Sequence, residues 1–222
     1  RIFVYEYAAV SELPEEDQQL ACDLLNQLFE VVEKTVEQKT VDGGIALMLG
    51  PSEFELVLGG VIAEGAKLED TLKRLADAVE EDEPALKEMI KLDVDTHEGV
   101  NFHLATVPLP EDAEESAVQV FGPAVKVALG IGEQSVYVAA GRDPVATIKQ
   151  VIDASRAEPD KEILPMQLSV AATPILQFVG AVGEDEQTKQ MARMLAGMLA
   201  QAEGEDHLTI STRPVPGGAL SR

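Results

Sequence analysis

Apolar residues in this chain recur with two different periods, and the chain switches between them several times. Leu20, Leu24, Leu28, Val31 and Val32 stand three and four residues apart with Glu and Gln between them. That spacing predicts an amphipathic helix from Pro14 to about Gln38, with Pro14 suited to its first turn and Gly43-Gly44 ending the segment. Directly afterwards Ile45, Leu47 and Leu49 stand at alternate positions, and Phe54, Leu56 and Leu58 do the same beyond Pro51-Ser52. A period of two is that of a strand with one apolar face. Pairing Leu49 with Phe54, Leu47 with Leu56 and Ile45 with Leu58 puts all six on one face, which predicts an antiparallel hairpin in that register.

The switch repeats downstream. Leu68, Leu72, Leu75, Ala76 and Val79 predict a helix over Lys67–Glu81, with a further short helical turn from Pro84. A second hairpin follows, from Ile90, Leu92 and Val94 through His97-Glu98-Gly99 to Val100, Phe102 and Leu104. A three-residue loop sets Val94 against Phe102 and Leu92 against Leu104, whereas a two-residue loop sets Val94 against His103 and mixes the faces. The longer loop is therefore expected, with Gly99 in the left-handed position. Val125, Val127, Leu129 and Ile131 pair with Val136, Val138 and Ala140 in a third hairpin. A helix then opens with Asp143 as N-cap and Pro144 at its first position, with Ile148, Val151 and Ile152 inward. A strand over Met166–Val170, a helix from Glu184 to about Gln201 and a last hairpin opening at Leu208, Ile210 and Thr212 complete the pattern.

The fold class expected is α+β, with antiparallel β-hairpins forming one or two sheets and amphipathic helices packed on one face. A helix followed by an alternating strand occurs at Lys67–Thr106 and again at Glu184–Arg222. Two related α+β halves are expected on that ground, residues 1–110 and 120–222, with charged, proline-containing linkers at Pro108–Glu115 and Arg156–Pro165. The second copy stops just after Pro216-Gly217-Gly218, so Arg222 reads as a cut end of a longer parent, and a leader or longer region before Arg1 is compatible with the strand-like opening Ile2-Phe3-Val4-Tyr5.

Charge excludes more than it suggests. The chain has 222 residues, with 17 Lys and Arg against 40 Asp and Glu, a formal net charge of −23. Nucleic-acid binding needs clustered cations to displace counterions from phosphates, and there is no basic run, so no nucleic-acid partner is expected. Anionic membrane surfaces repel such a chain. No run of 18 or more apolar residues exists, so no transmembrane segment is expected. Cys22 is the single cysteine. It excludes an intrachain disulfide, and among Leu20, Leu24 and Leu25 it reads as a buried, inert residue.

The run Ser135-Val136-Tyr137-Val138-Ala139-Ala140-Gly141-Arg142-Asp143-Pro144, continued by Ile148-Lys149-Gln150-Val151-Ile152-Asp153, resembles a group of uncharacterised exported bacterial proteins, a large domain-of-unknown-function class. The helix Leu68–Glu81 followed by the hairpin Leu92–Leu104 is similar to the same pattern. The resemblance implies an exported, periplasmic or envelope-associated protein; it carries no known activity and no catalytic residues.

Catalytic signatures are missing from the residues themselves. His97-Glu98 begins like a zinc-protease motif, but position 101 is Asn where the second histidine belongs. Gly130-Ile131-Gly132 resembles part of a dinucleotide fingerprint, yet it lies between two strands and reads as a hairpin turn. No phosphate-binding loop and no nucleophile elbow occur. The one metal-like constellation is Asp93, Asp95 and His97, alternating on a strand, with His103 across from Asp93. A divalent cation is the only cofactor those residues suggest, and polar residues alternating outward on a solvated sheet face account for them more simply. Met191, Met194 and Met198, with Leu195, form a stripe on the last long helix; it reads as core packing or as an adaptable ligand-binding groove. The function expected is a non-enzymatic binding or scaffold module for an unidentified protein or small molecule. A metal-dependent or carboxylate-based hydrolase and a carrier of lipid or other hydrophobic ligands are the alternatives.

Overall fold

The computed structural model describes residues 15–38, 42–82, 88–157, 166–183, 185–201, 206–215 and 218–221. Expectations for Pro14, for the opening Ile2–Tyr5, for the turn from Pro84 and for the side chain of Cys22 lie outside the described residues.

Among the described residues there are six helices and nine strands, and most follow the expected switching; the helices Glu115–Phe121 and Ala172–Val182 are not among those expected. The elements are α1 (Glu15–Glu37), β1 (Gly43–Gly50), β2 (Glu53–Val61), α2 (Gly65–Asp82), β3 (Ile90–His97), β4 (Val100–Pro108), α3 (Glu115–Phe121), β5 (Ala124–Ile131), β6 (Ser135–Gly141), α4 (Pro144–Ala157), β7 (Met166–Ala171), α5 (Ala172–Val182), α6 (Glu186–Gln201), β8 (His207–Val215) and β9 (Gly218–Ser221). The strands form a six-stranded sheet in the order β1-β2-β6-β5-β4-β3 and a three-stranded sheet in the order β7-β8-β9. The protein is α+β, as the two periods predict. Two compact units divide the chain, one of residues 1–45, 58–106 and 127–139, the other of residues 46–57, 107–126 and 140–222.

In the first unit, α1 and α2 pack on each other through Leu24, Val31, Thr71 and Ala76, all buried. Thr71 turns its hydroxyl to the Lys67 carbonyl at 2.8 Å and to Gln27 at 3.1 Å, so the buried polar atom is satisfied. Val32, expected inward, is 59% exposed, because the buried stripe runs along Leu24 and Val31, two turns apart, and Val32 lies about 100° round the helix from Val31. The first hairpin adopts the expected register: Val61 donates to the Asp42 carbonyl at 2.9 Å, and a Cβ on Gly60 would lie 3.6 Å from the Gly43 Cα.

The second hairpin departs from expectation. His97 pairs with Val100, so the turn has two residues, Glu98 and Gly99, with φ of 53° and 81°. Two consecutive left-handed residues make a type I′ turn, whose twist suits the strands and for which glycine is the favoured second residue. The mixing of faces that argued against this turn is avoided by a bulge: Asp95 pairs with Phe102 while Lys91 pairs with Leu104, leaving Leu92, Asp93 and Val94 opposite His103 alone. Asp93 carries the bulge with φ of 52°. Phe102, on the far side of β4 from His103, is fully buried together with Ala128 and Ala139.

In the second unit, the β6–α4 joint is fixed by Glu55. Its carboxylate accepts the Arg142 N–H at 3.0 Å and the Thr147 hydroxyl at 2.8 Å, placing an anion at the positive end of α4. Asp143 also caps the helix as expected, accepting the Ala146 N–H at 3.4 Å. A Cβ on Gly141 would stand 2.3 Å from the Glu55 carboxylate, so a side chain there would push Glu55 out of this joint. Arg142 reaches on to the Gln119 and Val120 carbonyls of α3, and Phe54 meets Phe121 edge to face at 5.3 Å. The Gly141-Arg142-Asp143-Pro144 run thus has a structural task. Helix α3 begins at Glu115, where the expected linker ends.

Candidate functional site

Asp93, Asp95, His97 and His103 do not form one cluster. Residues paired across an antiparallel ladder share a face, and successive residues alternate. Asp95 and His97, paired with Phe102 and Val100, therefore lie on the opposite side of the sheet from His103. Asp93 joins His103 because its left-handed backbone turns it out of the regular alternation. The residue that completes the group is Glu69 of α2, and Glu69, Asp93 and His103 bring their ligand atoms within 4.8 Å of one another. Glu69 was not singled out by the sequence, where it is one of 40 acids; its one signal was Lys73, four residues on along the polar edge of α2.

Lys73 sits where a bound cation would sit. Its ammonium lies 2.7 Å from Glu69 Oε1 and 2.8 Å from Asp93 Oδ1. Asn101 Nδ2 donates to the same two oxygens, at 2.7 Å to Glu69 and in a short contact to Asp93. Both carboxylates are thereby hydrogen-bonded by the chain itself and share the one positive charge of Lys73. The hydrogen bond from Lys73 holds Asp93 below the usual carboxylate range, and Asn101 adds to it. Burial pulls Glu69 upward, but Lys73 and Asn101 outweigh it and the net shift is downward. The two acids in turn raise Lys73, Asp93 the more strongly. For a metal-dependent hydrolase this arrangement supplies few free ligands, because a divalent ion would have to displace Lys73 and compete with Asn101.

His103 is held differently. Its ring is almost fully buried, and burial lowers its pKa against the opposing pull of Glu69 and Asp93. Nδ1 accepts the Asp93 N–H at 3.2 Å, which leaves Nε2 as the protonated nitrogen of the neutral ring. Among the described residues Nε2–H has no hydrogen-bond partner; the nearest carboxylate oxygen, Glu69 Oε1, is 3.8 Å away and already shared by Lys73 and Asn101.

The methionine stripe also departs from the core-packing reading. Met191, Met194 and Met198 are 51%, 58% and 62% exposed, with Leu195 and Leu199 exposed beside them. Helix α6 buries its alanine edge instead, Ala192 and Ala196, against α5. Small residues explain the choice: Gly180 of α5 comes so close that a Cβ there would meet Arg193 Cγ at 2.8 Å. Helix α5 shows neither apolar period in the sequence, and without it the wider methionine stripe is the obvious inward face.

A second uncovered surface lies on the three-stranded sheet. Strands β7 and β8 pair Leu168 with Ile210, Val170 with Leu208 and Met166 with Thr212. Met166, Leu168, Val170, Leu208 and Ile210 therefore share one face, and all five are exposed, Leu208 by 65%. The other face carries Gln167, Ser169, Thr209 and Ser211, with the Ser169 and Thr209 hydroxyls 3.2 Å apart. No family model, no curated protein and no solved structure matches the chain. No helix among the described residues is long and apolar enough to cross a membrane.

Proposed function

We propose that the protein is a non-enzymatic binding module, exported or envelope-associated, that docks a protein partner through the apolar face of β7 and β8. The observation that carries this reading is the in-register set Met166, Leu168, Val170, Leu208 and Ile210, exposed on one face of a small sheet whose other face is polar. Monomeric proteins rarely leave such contiguous apolar faces open unless a partner covers them. A three-stranded sheet without a covered face is also only marginally stable by itself. The exposed methionines of α6 suit the same task, since their unbranched side chains adapt to irregular partners. The net charge of −23 favours a partner whose apolar centre is rimmed by basic residues. The exported placement rests on the resemblance carried by Ser135–Asp153.

Magnitudes set the kind of complex. Burying five side chains that are about half exposed yields roughly 4–8 kcal/mol, taking about 1.5–3 kcal/mol for each full burial. Association costs about 4–15 kcal/mol. The sheet face alone therefore supports a weak, reversible complex, and a tight one needs the α6 stripe as well.

A photo-cross-linking amino acid placed at Leu168 or Ile210 in cells tests the reading, with Gln167 and Thr209 on the same strands as controls. Cross-links to a discrete partner from the apolar face alone are expected. Equal yields from both faces, or none from either, would refute it.

A further inference from the structure

Between α2 and the sheet of the first unit lies a cavity of about 260 Å³. Among the described residues its wall includes Leu72, Leu75 and Ala76 of α2, Leu92 of β3, Leu104 of β4 and Leu129 of β5, and His103 is the only polar side chain in it. Leu75, 37% exposed, stands at its rim. We infer that this cavity is a binding site for a compact, uncharged hydrocarbon, the size of a ring with one or two small alkyl groups, held by burial alone and by no hydrogen bond.

His103 marks the border between a polar and an apolar region. Its Nδ1 accepts the Asp93 N–H at 3.2 Å, and its Nε2, with almost no accessible surface, lies 3.8 Å from Glu69 Oε1. Both nitrogens thus belong to the side that carries Glu69, Lys73, Asp93 and Asn101, and the ring meets the cavity through carbon. A ligand seated there finds neither donor nor acceptor, so every polar atom it buried would lose its water without replacement. Hydrocarbon alone gains from the transfer, in proportion to the area it hides.

Neither the chain nor water accounts for the space. Protein interiors are packed as densely as organic crystals, with few voids larger than a water molecule. A buried water needs about two to four polar partners, which these walls do not offer. The walls are also held in place independently of any ligand. Lys73 of α2 meets Asp93 of β3 at 2.8 Å, and the bulge sets Leu92, Asp93 and Val94 opposite His103 alone. A bulge bends its strand, so β3 does not settle flat onto the helix and close the gap. A cavity of about 150 Å³ takes benzene, and sites for drug-sized molecules run to about 300–1,000 Å³. A space of about 260 Å³ lies between them and fits one substituted ring. Glu69 and Asp93 beyond His103, in a chain of net charge −23, turn away anions such as fatty acids. The cavity lies in the first unit and the partner-docking face in the second, and neither proposal depends on the other.

The probe is p-xylene, and its control is hydroquinone, the same ring with a hydroxyl in place of each methyl, so that one hydroxyl is buried in either orientation. Each is titrated into the full chain carrying ¹³C-labelled leucine methyls and followed by NMR. The xylene is expected to give saturable ring-current shifts at Leu72, Leu92, Leu104 and Leu129, while Leu168, Leu195 and Leu208 on the exposed apolar surfaces stay unmoved. Hydroquinone should bind at least about tenfold more weakly, because a hydroxyl buried without a partner has a cost of that order. Ala76→Leu and Ala105→Leu grow into the cavity from the helix and from the sheet, and each should abolish xylene binding; a native-like amide spectrum away from the wall qualifies either variant, and one suffices. No shifts in the unmodified chain, or shifts shared by Leu168 and Leu208, would overturn the site, as would binding that survives in a folded filling variant. Equal affinity for hydroquinone would overturn the hydrocarbon assignment.

Discussion

The β3–β4 hairpin and the antiparallel β7–β8 pair carry the same alternation of apolar and polar residues, and they end in opposite situations. In the first, Val100 and Phe102 are buried under the chain's own residues; in the second, Leu168 and Leu208 are 52% and 65% exposed. Alternation specifies which residues share a face. What covers that face is decided by elements far away in sequence, so two equal patterns give a core in one place and an open surface in another.

The sharpest way to break this comparison is to truncate one residue from each strand pair. Phe102→Ala should cost about 3–5 kcal/mol, because it removes a fully buried ring and leaves a cavity. Leu168→Ala should change stability by less than about 0.5 kcal/mol, as exposed substitutions do. Urea denaturation of both variants checks the pair, and similar losses would mean that the second face is covered within the chain.

A smaller effect concerns pH. His103 is buried with its pKa lowered, so the unfolded state takes up a proton below about pH 6.5 that the folded state resists. Stability should therefore be full above that value and fall as pH drops from there toward the lower folded pKa, before the carboxylates titrate. The His103→Phe variant should lack this early decline in a series of melting curves from pH 7.5 to 5. Asp93 and Glu69, whose pKa values are depressed, give the ordinary loss at more acid pH in both proteins.

The smallest stability effect, with the clearest chemical readout, is expected from Lys73→Gln. Partly exposed ion pairs contribute about 0–1 kcal/mol, so the fold should persist. With its ammonium gone, Glu69, Asp93 and His103 become available as ligands, and isothermal titration should show Mn²⁺ or Zn²⁺ binding that the unmodified chain lacks at equal concentration. Equal binding by both would show that Lys73 does not hold the cation position.

Much of the fold was legible because local patterns and local chemistry agreed. The register of Ile45–Leu49 on Phe54–Leu58 follows from alternation alone, and the Asp143-Pro144 start of α4 follows from capping and proline geometry. Other parts were hidden for definite reasons. The Glu98-Gly99 turn looked wrong because its compensating bulge at Asp93 has no residue signature such as glycine. Helix α5 is almost uniformly apolar from Pro174 to Val182, so it shows neither period. Asp93 stands beside His103 through the bulge and not through the expected register, and Glu69 and Lys73 arrive from another element. The methionines were legible as a stripe; their exposure depends on Gly180, Ala192 and Ala196 meeting first.

The central claim is that the chain leaves the β7–β8 apolar face open by itself. Urea unfolding of the Leu168→Asp/Ile210→Asp double variant, beside Val100→Asp in β4, tests it most directly. The account predicts a double variant within about 1 kcal/mol of the unmodified protein, while Val100→Asp, which buries an unpaired charge, fails to fold or loses several kcal/mol. If the double variant collapses as well, the face is already covered in the native protein and the docking surface does not exist.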